Sequence, residues 1–287
     1  MGFIMAFLCF NAFRRFAAFI ALAGLTLGAC AEMPPLKLGI MPFNSPLALV
    51  KTHEPLARHL EQALGRKIMV HTATDYFTHI NALLAGDFDI AITGPHFGVM
   101  ASERRMQILY RYAIDLQPLF VVRKDSPILK IDDLRGKTLA LPSRLSISSI
   151  GGLKWLQDQG FRLNHDLRLS EFSAHGTAIA AVLHGVADAA VTTLALLHQV
   201  PADVRAKTRT LPSETRVPHF MTLAHEHLGQ AEIERIRRAL ASFPNTPAGQ
   251  AFFRETGYQG YVGVSASDLR HLRPFIELTV SVIRQAK

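Results

Sequence analysis

Apolar residues along this chain come in short blocks whose period changes from strand-like to helix-like and back. Residues 36–41 (LKLGIM) read as a short buried strand. Over 47–64, Leu56, Leu60 and Leu64 recur at helical spacing and Gly65 stops the helix. Pro55 either divides that stretch or opens its second part as a first helical residue. The pattern then predicts a strand over 68–71, a helix over 76–84 ended by Gly86, and a strand over 88–92 running into Gly94-Pro95. A helix over 95–103 and strands over 108–112 and 119–123 follow. The alternation restarts with a helical turn at 132–134. Strands are then expected at 138–141, 168–172 and 188–191, and helices at 148–159, 175–184 and 193–199. A strand over 219–223 precedes helices only, at 231–242, 247–256 and 267–283.

Strand–helix alternation implies mostly parallel sheets with helices on both faces, and two runs of it imply an α/β fold of two lobes. The expected division is 30–117 together with 219–287 as the first lobe and 118–218 as the second. The final helices are expected to pack back on the first lobe, with hinges near 116–119 and 216–220. Open parallel sheets bind ligands at the carboxyl ends of their strands. The loops of interest therefore follow Ile40, His71, Ile92, Leu141, Phe172 and Val191.

Composition narrows the class. With 287 residues, 49% hydrophobic and 19% charged, the chain is neither disordered nor short of core. A net charge of +8 points to an anionic partner. Residues 1–29 contain no acid, carry Arg14 and Arg15, and hold an apolar run over 16–27 that is too short to span a membrane comfortably. This is the layout of a signal peptide, with Met1 or Met5 as its start. Leu27-Gly28-Ala29-Cys30 resembles a bacterial lipobox, which makes Cys30 the expected lipidation site and the lipid a membrane anchor. Cys9 lies inside the signal, so processing leaves no second thiol for a disulfide, and thiol catalysis is excluded. Outside the cytoplasm, small anions become better partners than nucleic acid.

The strand-end loops carry hydroxyls, histidines and helix-start N–H groups: Asn44, Tyr76, Thr93, His96, Ser146-Ile147-Ser148, His175, and Thr192 with Thr193. No carboxylate pair, Gly-rich nucleotide loop or nucleophile elbow accompanies them. Neutral donors at helix N-termini suit an oxyanion, with no cofactor and no catalysis. Each residue also has a structural role open to it. The serines, with Ser149, are good N-caps. Tyr76 suits a core with its hydroxyl satisfied. His175 can donate to backbone, strand-end threonines are common, His96 suits a surface helix and Asn44 suits a turn.

The strings ATDYFTHINALLAGDFDIAITGPHFGVMA, DDLRGKTLAL and FSAHGTAIAAVLHGVADAA resemble the phosphate/phosphite/phosphonate-binding proteins of ABC importers, the PhnD type, over roughly 36–257. The resemblance implies a two-lobed type II periplasmic-binding fold, often lipid-anchored, that closes on its ligand, delivers it to a permease and is not an enzyme. It implies that the Tyr76 hydroxyl contacts ligand and that Ser146 and Ser148 are the outer members of a Ser-Thr-Ser cradle. His175 matches the family histidine, and Thr192 or Thr193 falls where Asp or Asn is usual. Ile147 replaces the cradle threonine, leaving its N–H. Thr93 stands where some members have Tyr, and Gly176 replaces an acid. With no acid to grip an amino group, the expected ligand is a small oxyanion or phosphonate-like molecule without an ammonium group.

Two other functions fit parts of the chain. The same fold can report to a membrane sensor kinase instead of a permease. A metal-assisted hydrolase would use His219, His225 and His227, although no His-Glu-x-x-His helix is present and no metal is expected.

Overall fold

The computed structural model describes residues 33–285; the expected signal peptide and Cys30 lie outside them. Strands β1 (Leu36–Ile40), β2 (Ile68–Thr72), β3 (Ile90–Thr93) and β4 (Met106–Tyr112) build one sheet. Helices α1 (Pro46–Leu64), α2 (Tyr76–Ala85) and α3 (Pro95–Ser102) connect them. The chain then crosses through β5 (Asp115–Leu116) into β6 (Pro118–Arg123), which opens a second sheet. That sheet continues with β7 (Lys137–Leu141), β8 (Leu167–Glu171), β9 (Ala189–Thr193) and β10 (Thr208–Pro212). Its helices are α4 (Ile147–Asp158), α5 (Leu163–Asp166), α6 (His175–Leu183), α7 (Leu194–His198) and α8 (Ala202–Arg205). The return passes through β11 (Val217–Pro218) into β12 (Met221–His225). Helices α9 (Gln230–Ser242) and α10 (Pro247–Thr256), strand β13 (Tyr261–Val262) and helix α11 (Ala266–Gln285) complete the chain.

The first sheet has the order β13-β4-β12-β3-β1-β2 and the second β10-β6-β9-β7-β8. The two crossings pair with each other, Leu116 with Val217 and Asp115 with Pro218. The fold is thus α/β with two lobes joined by a two-stranded ribbon.

The sheets are mixed rather than mostly parallel. β1 pairs in parallel with β2 and β3, and β7 with β8 and β9. The strands that enter from the other lobe reverse: β12 runs against β3 and β4, and β6 against β9 and β10. A crossing strand arrives from the cleft side, so it must run opposite to strands whose carboxyl ends face the cleft. Strand β13 also corrects the expectation of helices only after 223.

Helix α1 is continuous, with Pro55 inside it, so Pro55 neither divides nor starts a helix. Leu49, His53, Leu56, Ala57, Leu60 and Leu64 form its buried face, and that burial outweighs one missing backbone bond. β12 begins two residues later than its apolar run because His219 Nδ1 accepts the Phe220 N–H, which takes that donor off the ladder. The final helix α11 packs on α3 of the first lobe, α4 of the second and the ribbon strand β11. Leu145, Ile147, Ile150, Ala195 and Leu196 of the second lobe join the core of the first, so the lobes meet on apolar ground. Among the described residues, no helix is long and apolar enough to cross a membrane.

Candidate functional site

Helix α2 starts at Tyr76 because Asp75 caps it: its carboxylate accepts from the Thr78 N–H at 2.8 Å and from the Thr74 and Thr78 hydroxyls at 2.9 and 2.8 Å. The cap fixes Tyr76 at the first helical position, buried, with a hydroxyl that has no hydrogen-bond partner. That hydroxyl lies beside Ser146 of the second lobe, and burial pushes its ionisation well above the usual tyrosine range against the opposing effect of the Ser146 side chain. Tyr76 is therefore buried like a core aromatic but without the satisfied hydroxyl of one.

Across the cleft, Ser146 occupies the N-cap position of α4 and makes no capping bond. Its Oγ pairs instead with Ser148 Oγ at 2.8 Å. Ser149 Oγ is buried and unpartnered. The first N–H groups of α4 are thus left without a side-chain acceptor, beside three buried hydroxyls and Tyr76. The Ile147 side chain is buried in the interlobe apolar cluster, so only its backbone belongs to this polar group.

His175 opens α6, and its Nδ1 lies 2.9 Å from Thr192 Oγ1. Burial lowers its pKa to about 3. Thr193 caps α7, its Oγ1 accepting from the Leu196 N–H at 3.4 Å. In the first lobe, Thr93 Oγ1 lies 3.0 Å from His79 Nε2. His79 escaped sequence reading; its place one turn after Tyr76 on a helix with a buried face was the available signal. Burial lowers the His79 pKa to about 3. Asn44 Oδ1 accepts from the Ser45 N–H at 2.8 Å, the turn role. His96 is wholly buried rather than on a helix surface, and its Nε2 donates to the Leu145 carbonyl at 3.0 Å. That bond and Gln199 Nε2 to Tyr258 Oη, 3.1 Å, join the lobes.

Beside Tyr76 and Leu145 lies a cavity of about 520 Å³ whose rim carries Asp75, Arg144, Glu171 and Gln285. Arg144 is held by Glu171 at 2.5 Å. Among the described residues, the buried polar side chains besides tyrosine are all His, Ser and Thr. The buried polar groups are therefore uncharged ones, which suits a ligand held by dipoles and N–H groups rather than by a counter-ion.

The three histidines of the hydrolase reading do not converge. His219 packs against Tyr112, Phe220 and Tyr258 where the chain enters β12. His225 ends that strand, roughly 20 Å further on. There it meets His227, Nδ1 to Nδ1 at 2.7 Å, and His227 Nε2 lies 2.7 Å from Asp89 Oδ1.

A family model described as the periplasmic substrate-binding protein of phosphonate ABC transporters matches residues 38–269. The chain belongs to this family. Its members work outside the cytoplasm as binding components of importers. Solved structures with the same fold include a binding protein of an ABC phosphonate transporter from Pseudomonas aeruginosa. That protein is 16% identical over 87% of this chain and 89% of that one, with a TM-score of 0.76. PhnD1 from Prochlorococcus marinus, solved with methylphosphonate, is 15% identical over 84% of this chain and 98% of that one, with a TM-score of 0.74. The alkanesulfonate-binding protein of Xanthomonas axonopodis pv. citri, bound to MOPS, is more distant: 18% identical over 88% and 94%, with a TM-score of 0.58. At these identities the likeness speaks for the fold of this phosphonate-family member.

Proposed function

We propose that this protein is the lipid-anchored, extracytoplasmic receptor of an ABC importer, and that it holds a small phosphonate-like oxyanion between its lobes. The observation that carries this reading is the meeting of the unpartnered Tyr76 hydroxyl with the uncapped start of α4 across the cleft. Ser146, Ser148 and the Ile147 N–H hold the anion from the second lobe, with His175 as a further donor supported by Thr192. Tyr76 and Thr93 serve it from the first. Asn44 and Thr193 stand further back, as turn and cap. Within the described residues, 33–117 with 219–285 make one lobe and 118–218 the other, and the β5–β11 ribbon is the hinge. The sequence over 27–30 supports lipid attachment at Cys30, and closure on ligand is the signal to the permease. The protein does no chemistry on what it binds.

The test is thermal unfolding against phosphate, phosphite, methylphosphonate, 2-aminoethylphosphonate, sulfate and nitrate. A ligand present at about 100 times its Kd adds roughly 2.7 kcal/mol, or a shift of a few degrees. The expected result is a dose-dependent shift with a phosphorus oxyanion lacking an amino group, lost in Ser146→Ala. A shift confined to non-phosphorus ligands would move the ligand class and leave the fold.

A further inference from the structure

Hydrogen bonding fixes the tautomer of one cleft histidine. The Leu145 carbonyl can only accept, so His96 Nε2 carries the hydrogen. A neutral ring then leaves a bare lone pair on Nδ1. Burial holds the ring neutral, its pKa lowered to about 4 against the opposing effect of the Leu145 bond. Nδ1 is itself buried and has no hydrogen-bond partner. The ring stands over Gly94: a Cβ on that glycine would lie 3.0 Å from Nδ1 and 3.4 Å from Met41 Sδ. Met41 follows β1 and Gly94 follows β3. The lone pair therefore sits at the carboxyl ends of neighbouring strands, where open α/β sheets take their ligands.

Of the other free polar atoms near these strand ends, Tyr76 Oη, Ser149 Oγ and Thr72 Oγ1 belong to hydroxyls that can donate, and His79 Nδ1 belongs to a ring whose tautomer its contact with the Thr93 hydroxyl leaves open. His96 Nδ1 can only accept. An ionised oxygen placed against it would meet a lone pair and be repelled, while a protonated oxygen would donate to it. A sulfonate has three unprotonated oxygens. A singly protonated phosphonate has the same shape and charge and one P–OH.

We propose that His96 Nδ1 accepts the hydrogen of a P–OH group on the bound anion, so that the cleft selects R–PO₂(OH)⁻ over sulfonates of equal size and charge. This rests on the oxyanion reading of the cleft and adds a specificity-determining residue to it. The Nε2 bond to Leu145 joins the lobes whatever the ligand; Nδ1 is surplus to that role.

Calorimetric titration of the purified protein with methylphosphonate and methanesulfonate separates the possibilities. It is run at about pH 6.5, where a phosphonate keeps one proton on a large share of its molecules. The wild type is expected to prefer methylphosphonate by about 10- to 100-fold, the effect of one buried acceptor met or unmet. His96→Gln keeps an N–H toward Leu145 and removes the Nδ1 acceptor, and should shrink the preference to about threefold or less, through loss of methylphosphonate affinity. Gly94→Ala, which has an ordinary backbone conformation to keep but crowds the ring, should do the same and carries the comparison if the Gln variant does not fold. A wild type that binds both anions alike overturns the proposal. So does a preference unchanged in the variants, or an equal loss of both ligands, which would make His96 only a link between lobes. If neither anion binds the wild type, this proposal fails, and the oxyanion reading fails with it only if phosphate and phosphite also give no shift in thermal unfolding.

Discussion

Tyr76 has two properties that experiment can pull apart. Its ring is buried core, and its hydroxyl is a buried donor with no partner. A buried unmet hydroxyl costs stability, so Tyr76→Phe should leave the ligand-free protein as stable as before or slightly more so. The same change should weaken oxyanion binding by about 10- to 100-fold. Thermal unfolding without ligand, compared with titration, checks both signs. A variant destabilised without ligand would mean that the hydroxyl has a structural partner instead. Sequence supplied the identity of this residue, since an aromatic at a capped helix start after a strand is visible in the string. It could not supply the state of the hydroxyl, which depends on Ser146, seventy residues away, being turned toward Ser148. His79 shows the converse. Its helical spacing from Tyr76 marks it only as a member of a buried face, and the fold alone brings it against Thr93.

At the level of elements, local chemistry and packing contend in two visible places. Pro55 is a helix breaker by its own nature, yet α1 runs through it because six of its side chains are buried. At the opposite extreme, Gly249 lies against the turn that precedes α10, where a Cβ would fall within bonding range of the Phe243 carbonyl oxygen. Gly249→Ala should therefore cost about 1–3 kcal/mol or more, because the obstacle is backbone and the neighbouring turn is tied by Thr246. Chemical denaturation of the variant measures it, and a midpoint equal to wild type would contradict the close approach. The helix over 247–256 reads in the sequence, but the need for glycine at 249 does not. Its steric reason comes from the 3₁₀ turn at Phe243–Asn245 folding back over it. The strands missed by period-two reading, β5, β10, β11 and β13, are short or polar and exist because a neighbour offers them an edge.

For the whole molecule, the buried histidines set the response to acid. Burial lowers His53 and His96 from an ordinary 6.5 to about 4, and His79, His175 and His219 to about 3. All five are neutral in the fold, while in the unfolded chain they take up protons as pH falls through about 6.5. Stability is thus full above about pH 6.5 and falls as pH drops toward about 4, by up to ~1.4 kcal/mol per pH unit for each histidine. A melting temperature that declines steadily from pH 6.5 to 5 is the expected outcome. One that stays flat over that interval would show that these rings are protonated, and solvated, in the folded state.

The order of the longer strands and helices, the two-lobe rhythm and the residues at strand ends were written in the sequence, because each depends on side-chain period and on turn and capping residues only a few positions apart. The reversal of β6 and β12, the continuity of α1, the closure of the lobes on Leu145, Ile147 and Ile150, and the pairing state of each polar atom in the cleft were decided by tertiary structure. Those features depend on which surfaces and lone pairs meet across distances the string does not encode: a strand's direction follows from the lobe it comes from, and a hydroxyl's or imidazole's freedom follows from what the opposite lobe places against it.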